Sequence, residues 1–147
     1  MRLAVTTAKM IAEATGAACL PIPTAQVVAR RVTSGGRAFA VALASKGETA
    51  FVTPFHAEGG PAAPGSIIDA QGLAALEVGL LIADRFLPAA MRACAGELAI
   101  EVREPVFDPT ACFELAATAA PIDPLHLVPA YAREPEAVTK WRQLHGG

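Results

Sequence analysis

An excess of charge of one sign is what this 147-residue sequence most plainly lacks: 12 Lys and Arg stand against 14 Asp and Glu, for a formal net charge of -2. No basic surface large enough to hold a nucleic-acid backbone follows from that balance, so direct nucleic-acid binding is not expected. Cysteine is also scarce. Cys19, Cys94 and Cys112 are an odd number in mainly apolar surroundings, without the paired spacing of a zinc site or the even framework of a secreted domain. They read as reduced, buried thiols of a cytoplasmic protein. Long apolar runs are missing too: the start, Met1-Arg2-Leu3-Ala4-Val5-Thr6-Thr7-Ala8-Lys9, has no uninterrupted apolar core before Lys9, and no later run approaches a membrane span. Neither export nor membrane insertion is suggested. His56, His126 and His145 are far apart and have no second ligand at metal-binding spacing, so they read as loop or surface residues. No metal or other cofactor is implied.

What is present is a core. A hydrophobic content of 53% with 18% charged residues is ample for one globular domain of this length. Leu3, Thr7, Met10, Ile11 and Ala14 recur at helical spacing, and Gly16 is placed to end that helix, giving a helix over residues 3–15 with one buried stripe. It has no proper beginning, because neither Met1 nor Arg2 can act as a side-chain cap, and the chain is expected to begin inside an element. Ala18 to Ile22 reads as a short strand and Pro23 to Val32 as a helix. Arg37 to Ala44 alternates Phe39, Val41 and Leu43 with Ala38, Ala40 and Ala42, a strand buried on both faces whose small face suits packing against a helix. Lys46-Gly47 turns the chain into Thr49 to Phe55, completing a hairpin.

Further strands are expected at Ser66 to Ile68, Val78 to Ala83 and Leu98 to Val102. Helices are expected at Asp69 to Leu76, Pro88 to Ala95 and Pro109 to Ala119, with Asp69 and Asp108 as caps and Pro109 at a first helical position. The three prolines between Ala120 and Pro129 predict an extended crossing segment. Strands and helices alternate, which places the chain in the α/β class.

Catalytic chemistry is hard to assemble from these residues. Ser45-Lys46 could pair a nucleophile with a base, but neighbours on a hairpin point apart and turn chemistry accounts for both. Cys112 stands near a helix start, yet Ala111 and Phe113 favour a buried structural thiol. Asp84-Arg85 follows a strand, where a ligand could approach, but a helix-opening Asp beside a surface Arg is the simpler account. The Gly pairs at 35–36 and 59–60 lack the strand, turn and helix order of a phosphate cradle. Tyr131, Arg133 and Trp141 fit either a partner-binding surface or a clamp fastening the tail to its own chain.

Three segments together resemble the TsaB, or YeaZ, family. The run Arg2-Leu3-Ala4-Val5-Thr6-Thr7-Ala8-Lys9-Met10-Ile11-Ala12, then Gly16 and Pro23-Thr24-Ala25, is similar to the helix that follows that family's Gly-rich loop, with the turn, strand and further helix after it. Ala44, Gly47 and Glu48 match its hairpin, with Leu43 and Ser45 replacing an acidic and a basic member. Pro129-Ala130-Tyr131-Ala132-Arg133-Glu134-Pro135-Glu136-Ala137-Val138-Thr139-Lys140-Trp141 resembles its terminal segment. The family's opening strands, with their Asp-Thr motif and Gly-rich loop, have no counterpart here.

The resemblance implies an ASKHA-like (actin, Hsp70, sugar-kinase, ribonuclease H-like) α/β fold. Residues 1–33 would be the remnant of a first domain, 34–120 a second domain and 121–147 a tail returning to the first. It also implies a non-catalytic scaffold that binds a TsaD-like subunit and supports threonylcarbamoyl transfer to adenosine in tRNA. The implied partner-binding residues lie on the first helix, at Leu3, Thr7, Met10 and Ile11, with the face that meets the partner left open. An apolar surface beside residues 3–22 would be covered by that partner, by self-association or by a separate amino-terminal half. A degenerate or split-gene fragment and a glycoprotease-like peptidase are the alternative readings.

Overall fold

The computed structural model describes residues 2–129 and 136–145. Its centre is a five-stranded mixed sheet in the order β3-β2-β1-β4-β5. The strands are β1 (Phe39–Lys46), β2 (Thr49–Phe55), β3 (Ser66–Ile68), β4 (Leu80–Ala83) and β5 (Glu101–Arg103). β1, β2 and β3 pair antiparallel in a meander, whereas β4 lies parallel to β1 and β5 parallel to β4. The helices are α1 (Arg2–Thr15), α2 (Thr24–Ala29), α3 (Ala70–Ala74), α4 (Ala89–Glu97), α5 (Pro109–Ala116) and α6 (Glu136–His145).

The alternation along β1 decides how the sheet is covered. Its small residues, Ala40 and Ala42, join Val52, Leu81 and Ala83 on the face that receives Leu73 of α3 and Met91 and Ala95 of α4. Alanines on the sheet let these helices come close. The large residues of the opposite face, Phe39 and Val41, join Phe55, Leu80 and Ile82 beneath Ala25, Val28 and Ala29 of α2. Phe39 and Phe55 stand opposite each other in the register and stack at 5.2 Å between ring centroids. Both faces are therefore dry along β4 and along Phe39 to Ala42 of β1, as expected for strands at the centre of a covered sheet, whereas the far end of β1 emerges into solvent.

Local signals mark several boundaries. The Asp69 carboxylate accepts from the Gly72 N–H at 2.9 Å, and the Asp108 carboxylate accepts from the Thr110 N–H at 2.9 Å, each just before its helix. Gly16, at φ 71°, ends α1 with its N–H donating to the Ala12 carbonyl at 2.8 Å.

Other expectations are corrected. Among the described residues, 18–22 form only an isolated antiparallel bridge, Cys19 to Ile122, in place of the expected strand. α2 stops at Ala29 rather than Val32, and its end closes in turns from Val28 and Ala29. Leu98 to Ile100 belong to the end of α4, not to a strand. Ala99 takes a left-handed φ of 54°, and the Ile100 N–H reaches back to the Ala95 carbonyl at 2.8 Å, so β5 starts only at Glu101. α5 ends at Ala116, with residues 117–119 in turns. The proline-rich segment after it is not extended throughout, since the Asp123 carboxylate accepts from the Leu125 N–H at 2.8 Å and caps a 3-10 turn at Pro124–His126.

Ionic ties join the elements at the surface. Arg31, just past α2, pairs with Asp108 at 2.6 Å and Glu114 of α5 at 2.7 Å, and Arg30 pairs with Glu114 at 2.9 Å. Both carboxylates are held below their ordinary range by hydrogen bonds from Arg31, aided at Glu114 by Arg30. Glu101 lies between Arg103 at 2.6 Å and Arg37 at 2.7 Å, and these bonds, Arg103 first, bring it from 4.5 down to about 2. Because its folded value is depressed, the stability it contributes is present above its ordinary value near 4.5 and is lost as pH falls toward 2. In urea titrations the parent and Glu101→Gln should differ at neutral pH and converge across that acid window. A constant separation at all pH values would show that the pairing is not the source.

Candidate docking surface

α1 is a 14-residue helix that touches the rest of the chain along a narrow stripe. Ala12 is buried, Val5, Ala8 and Lys9 are half-buried, and the opposite side faces outward. The stripe of Leu3, Thr7, Met10, Ile11 and Ala14 is exposed, contrary to the expectation that it is buried. Leu3 is 84% exposed, Met10 64% and Ile11 54%, values that place three large apolar side chains of one helix in water. The spacing correctly defines a face of the helix. It carries no information on what covers that face, and the side actually used for internal packing is the one with the smaller residues.

The 3-10 turn at 124–126 lies beside α1. Lys9 Nζ donates to the Leu125 carbonyl oxygen at 3.1 Å, and the Cys19–Ile122 bridge, closed by the Ile122 N–H on the Cys19 carbonyl at 2.9 Å, brings the two chain segments together. Between them runs an apolar groove of about 280 Å³, whose lining includes Ala8, Ile11, Ala12, Cys19, Leu20 and Leu127. Ile11 thus belongs both to the outward stripe and to the groove wall. Leu20, Leu125 and Val128 are also exposed, at 37%, 69% and 71%. Leu20 and Leu125 share no pattern with α1 in the sequence, because only the 19–122 pairing sets them beside it. An exposed contiguous apolar surface of this kind is the usual mark of an interaction site.

Ser45 and Lys46 stand at the irregular end of β1, where Ala44 takes a φ of 54°. His56, His126 and His145 are exposed, and His145 stacks on Trp141 within α6 at 5.0 Å. Trp141 is exposed, while Tyr131 and Arg133 lie outside the described residues. Among the described residues no group of three or more His, Cys, Asp or Glu is arranged to hold a metal ion. No helix among them is long and apolar enough to cross a membrane. Cys19, Cys94 and Cys112 are all free thiols. Cys19 is buried and Cys94 half-buried, but Cys112 is exposed, because α5 turns its neighbour Ala111 inward. Asp84 opens a turn rather than a helix: its carboxylate accepts from the Phe86 N–H at 2.9 Å, and α4 begins only after Pro88.

The sheet, its helical layers and the exposed α1 define a mixed α/β fold. No family model and no curated protein matches the sequence. Among solved structures the chain is similar to the crystal structure of an uncharacterized protein with similarity to peptidase YeaZ from Pseudomonas aeruginosa. The TM-score is 0.59 and the identity 12%, over 90% of this chain and 67% of that one. A likeness at that identity is one of fold, and the chain has a YeaZ-like fold.

Proposed function

We propose that this chain is a non-catalytic partner subunit of a tRNA-modifying system, binding a TsaD-like protein and supporting threonylcarbamoyl transfer to adenosine in tRNA. The observation that carries the reading is the outward stripe of α1, where Leu3, Met10 and Ile11 stand exposed on one helix with Thr7 between them. The YeaZ-like fold and the terminal segment that resembles TsaB support it. In this reading the domains are ASKHA-like and the chemistry resides in the partner. The scaffold contributes a helical face, and a near-neutral charge balance of 12 basic and 14 acidic residues leaves tRNA contacts to the other subunit.

Coexpression of the chain with a TsaD-like protein from the same organism tests it. A stable complex in size-exclusion chromatography with light scattering is expected, and no peptidase activity that a serine or cysteine trap abolishes. Separate elution of the two proteins at concentrations of roughly 50 μM, which excludes affinities useful in a cell, would overturn the proposal.

A further inference from the structure

The parallel strands β1, β4 and β5 end on one edge of the sheet. Beyond the carboxyl ends of β4 and β5 lies an open pocket of about 350 Å³, lined chiefly by Ala83, Asp84, Arg85, Arg92, Arg103 and Glu104. This edge is where the connections of an α/β sheet leave room for ligands. The volume is at the low end of small-molecule sites, roughly 300–1,000 Å³, and suits a small metabolite.

The charges in its wall are held in place but not spent on one another. Arg30, Arg31, Arg37 and Arg103 each have a carboxylate partner. Arg85 and Arg92, among the described residues, have none. Arg92 is steadied by donating from Nη2 to the Asp84 carbonyl oxygen at 3.3 Å, and the Arg85 guanidinium lies over the Phe86 ring at 4.9 Å. Glu104 likewise has no cationic partner among the described residues, whereas the Asp84 carboxylate accepts from the Phe86 N–H. Among the described residues, two guanidinium groups without carboxylate partners and a carboxylate without a cationic one therefore share one small concavity.

We infer that this pocket binds a small two-ended metabolite of the amino- or hydroxy-acid class, its carboxylate received by Arg85 and Arg92 and its ammonium or hydroxyl donor by Glu104. Guanidinium forks match a carboxylate in shape and charge. A phosphate dianion is a poorer match, because Asp84 and Glu104 put two negative charges in the same wall. The site is open to solvent, so binding is weak and salt-sensitive. It uses no residue of α1 and is independent of the docking proposal.

Isotope-labelled chain titrated with L-serine, L-lactate and inorganic phosphate, followed by amide chemical shifts, tests this assignment. Serine or lactate should give saturable shifts confined to residues 83–86, 92 and 102–104. Loss of one charge-assisted contact should weaken that binding about tenfold in Arg92→Gln and in Arg85→Gln, with Arg30→Gln unchanged. Glu104→Gln should weaken serine more than lactate. The inference is overturned if neither acid saturates by about 50 mM, a range that already covers very weak sites. It is equally overturned if phosphate binds more tightly than both, or if the Arg85 and Arg92 variants, shown folded by their spectra, bind like the parent.

Discussion

Met10→Glu combined with Thr7→Glu is expected to weaken the complex with a TsaD-like subunit by on the order of 3 kcal/mol, a loss of a hundredfold or more in Kd. The magnitude comes from burying carboxylates without partners in a helical interface. Both positions are exposed in the free chain, so the variant should fold like the parent. A matched change elsewhere, Gln71→Glu on the exposed side of α3, should leave the affinity within twofold or so, because it only adds charge to a solvated face. Calorimetric titration of the three chains against the partner makes the comparison. An unchanged Kd for the double variant, with its helical circular dichroism intact, would remove α1 as the contact surface even if the complex itself is real.

The second large effect concerns the fold. Phe39→Ala should cost about 3–5 kcal/mol, the range for truncating a fully buried aromatic. Phe39 is 1% exposed, stacks on Phe55, and forms the floor on which Val28 and Ala29 of α2 rest. No small side chain can move in to fill the space, because β1 is pinned between β2 and β4. A loss of that size is a large fraction of the roughly 5–15 kcal/mol that holds an ordinary domain together. Phe107→Ala, which truncates an aromatic that is 58% exposed, should change stability far less. Urea midpoints for the two variants decide the matter, and equal losses would mean that the Phe39–Phe55 stack is not the centre of this face.

The same residues show why some features could be read in advance and others could not. Asp69 and Asp108 cap their helices as their side chains and positions before Ala70 and Pro109 imply, since a cap is settled by an N–H two or three residues away. The alternation of Phe39, Val41 and their alanine neighbours needed only the period of a strand. By contrast, the strand expected at 18–22 and the extended segment expected at 120–129 had each other as their partner, and they meet in a single bridge that no local signal announces. The strand expected at 98–102 is present only from Glu101 onward, because Ala99 adopts a left-handed turn usually left to glycine and Leu98 to Ile100 close α4 instead.

The candidate sites divide in the same way. Leu3, Thr7, Met10 and Ile11 could be grouped as one helical face from their spacing alone, but the direction of that face came from where Val5, Ala8 and Ala12 pack. Arg85, Arg92 and Glu104 carry no shared motif, and they line one pocket only because β4 and β5 lie parallel and α4 returns across them. The sequence by itself determined the α/β alternation, the capped helix starts and the dry central strands, which depend on interactions within a few residues. The tertiary structure alone decided the outward face of α1, the exposure of Cys112 and the gathering of charges at the sheet edge, because each depends on contacts between segments tens of residues apart, whose closure no local pattern encodes.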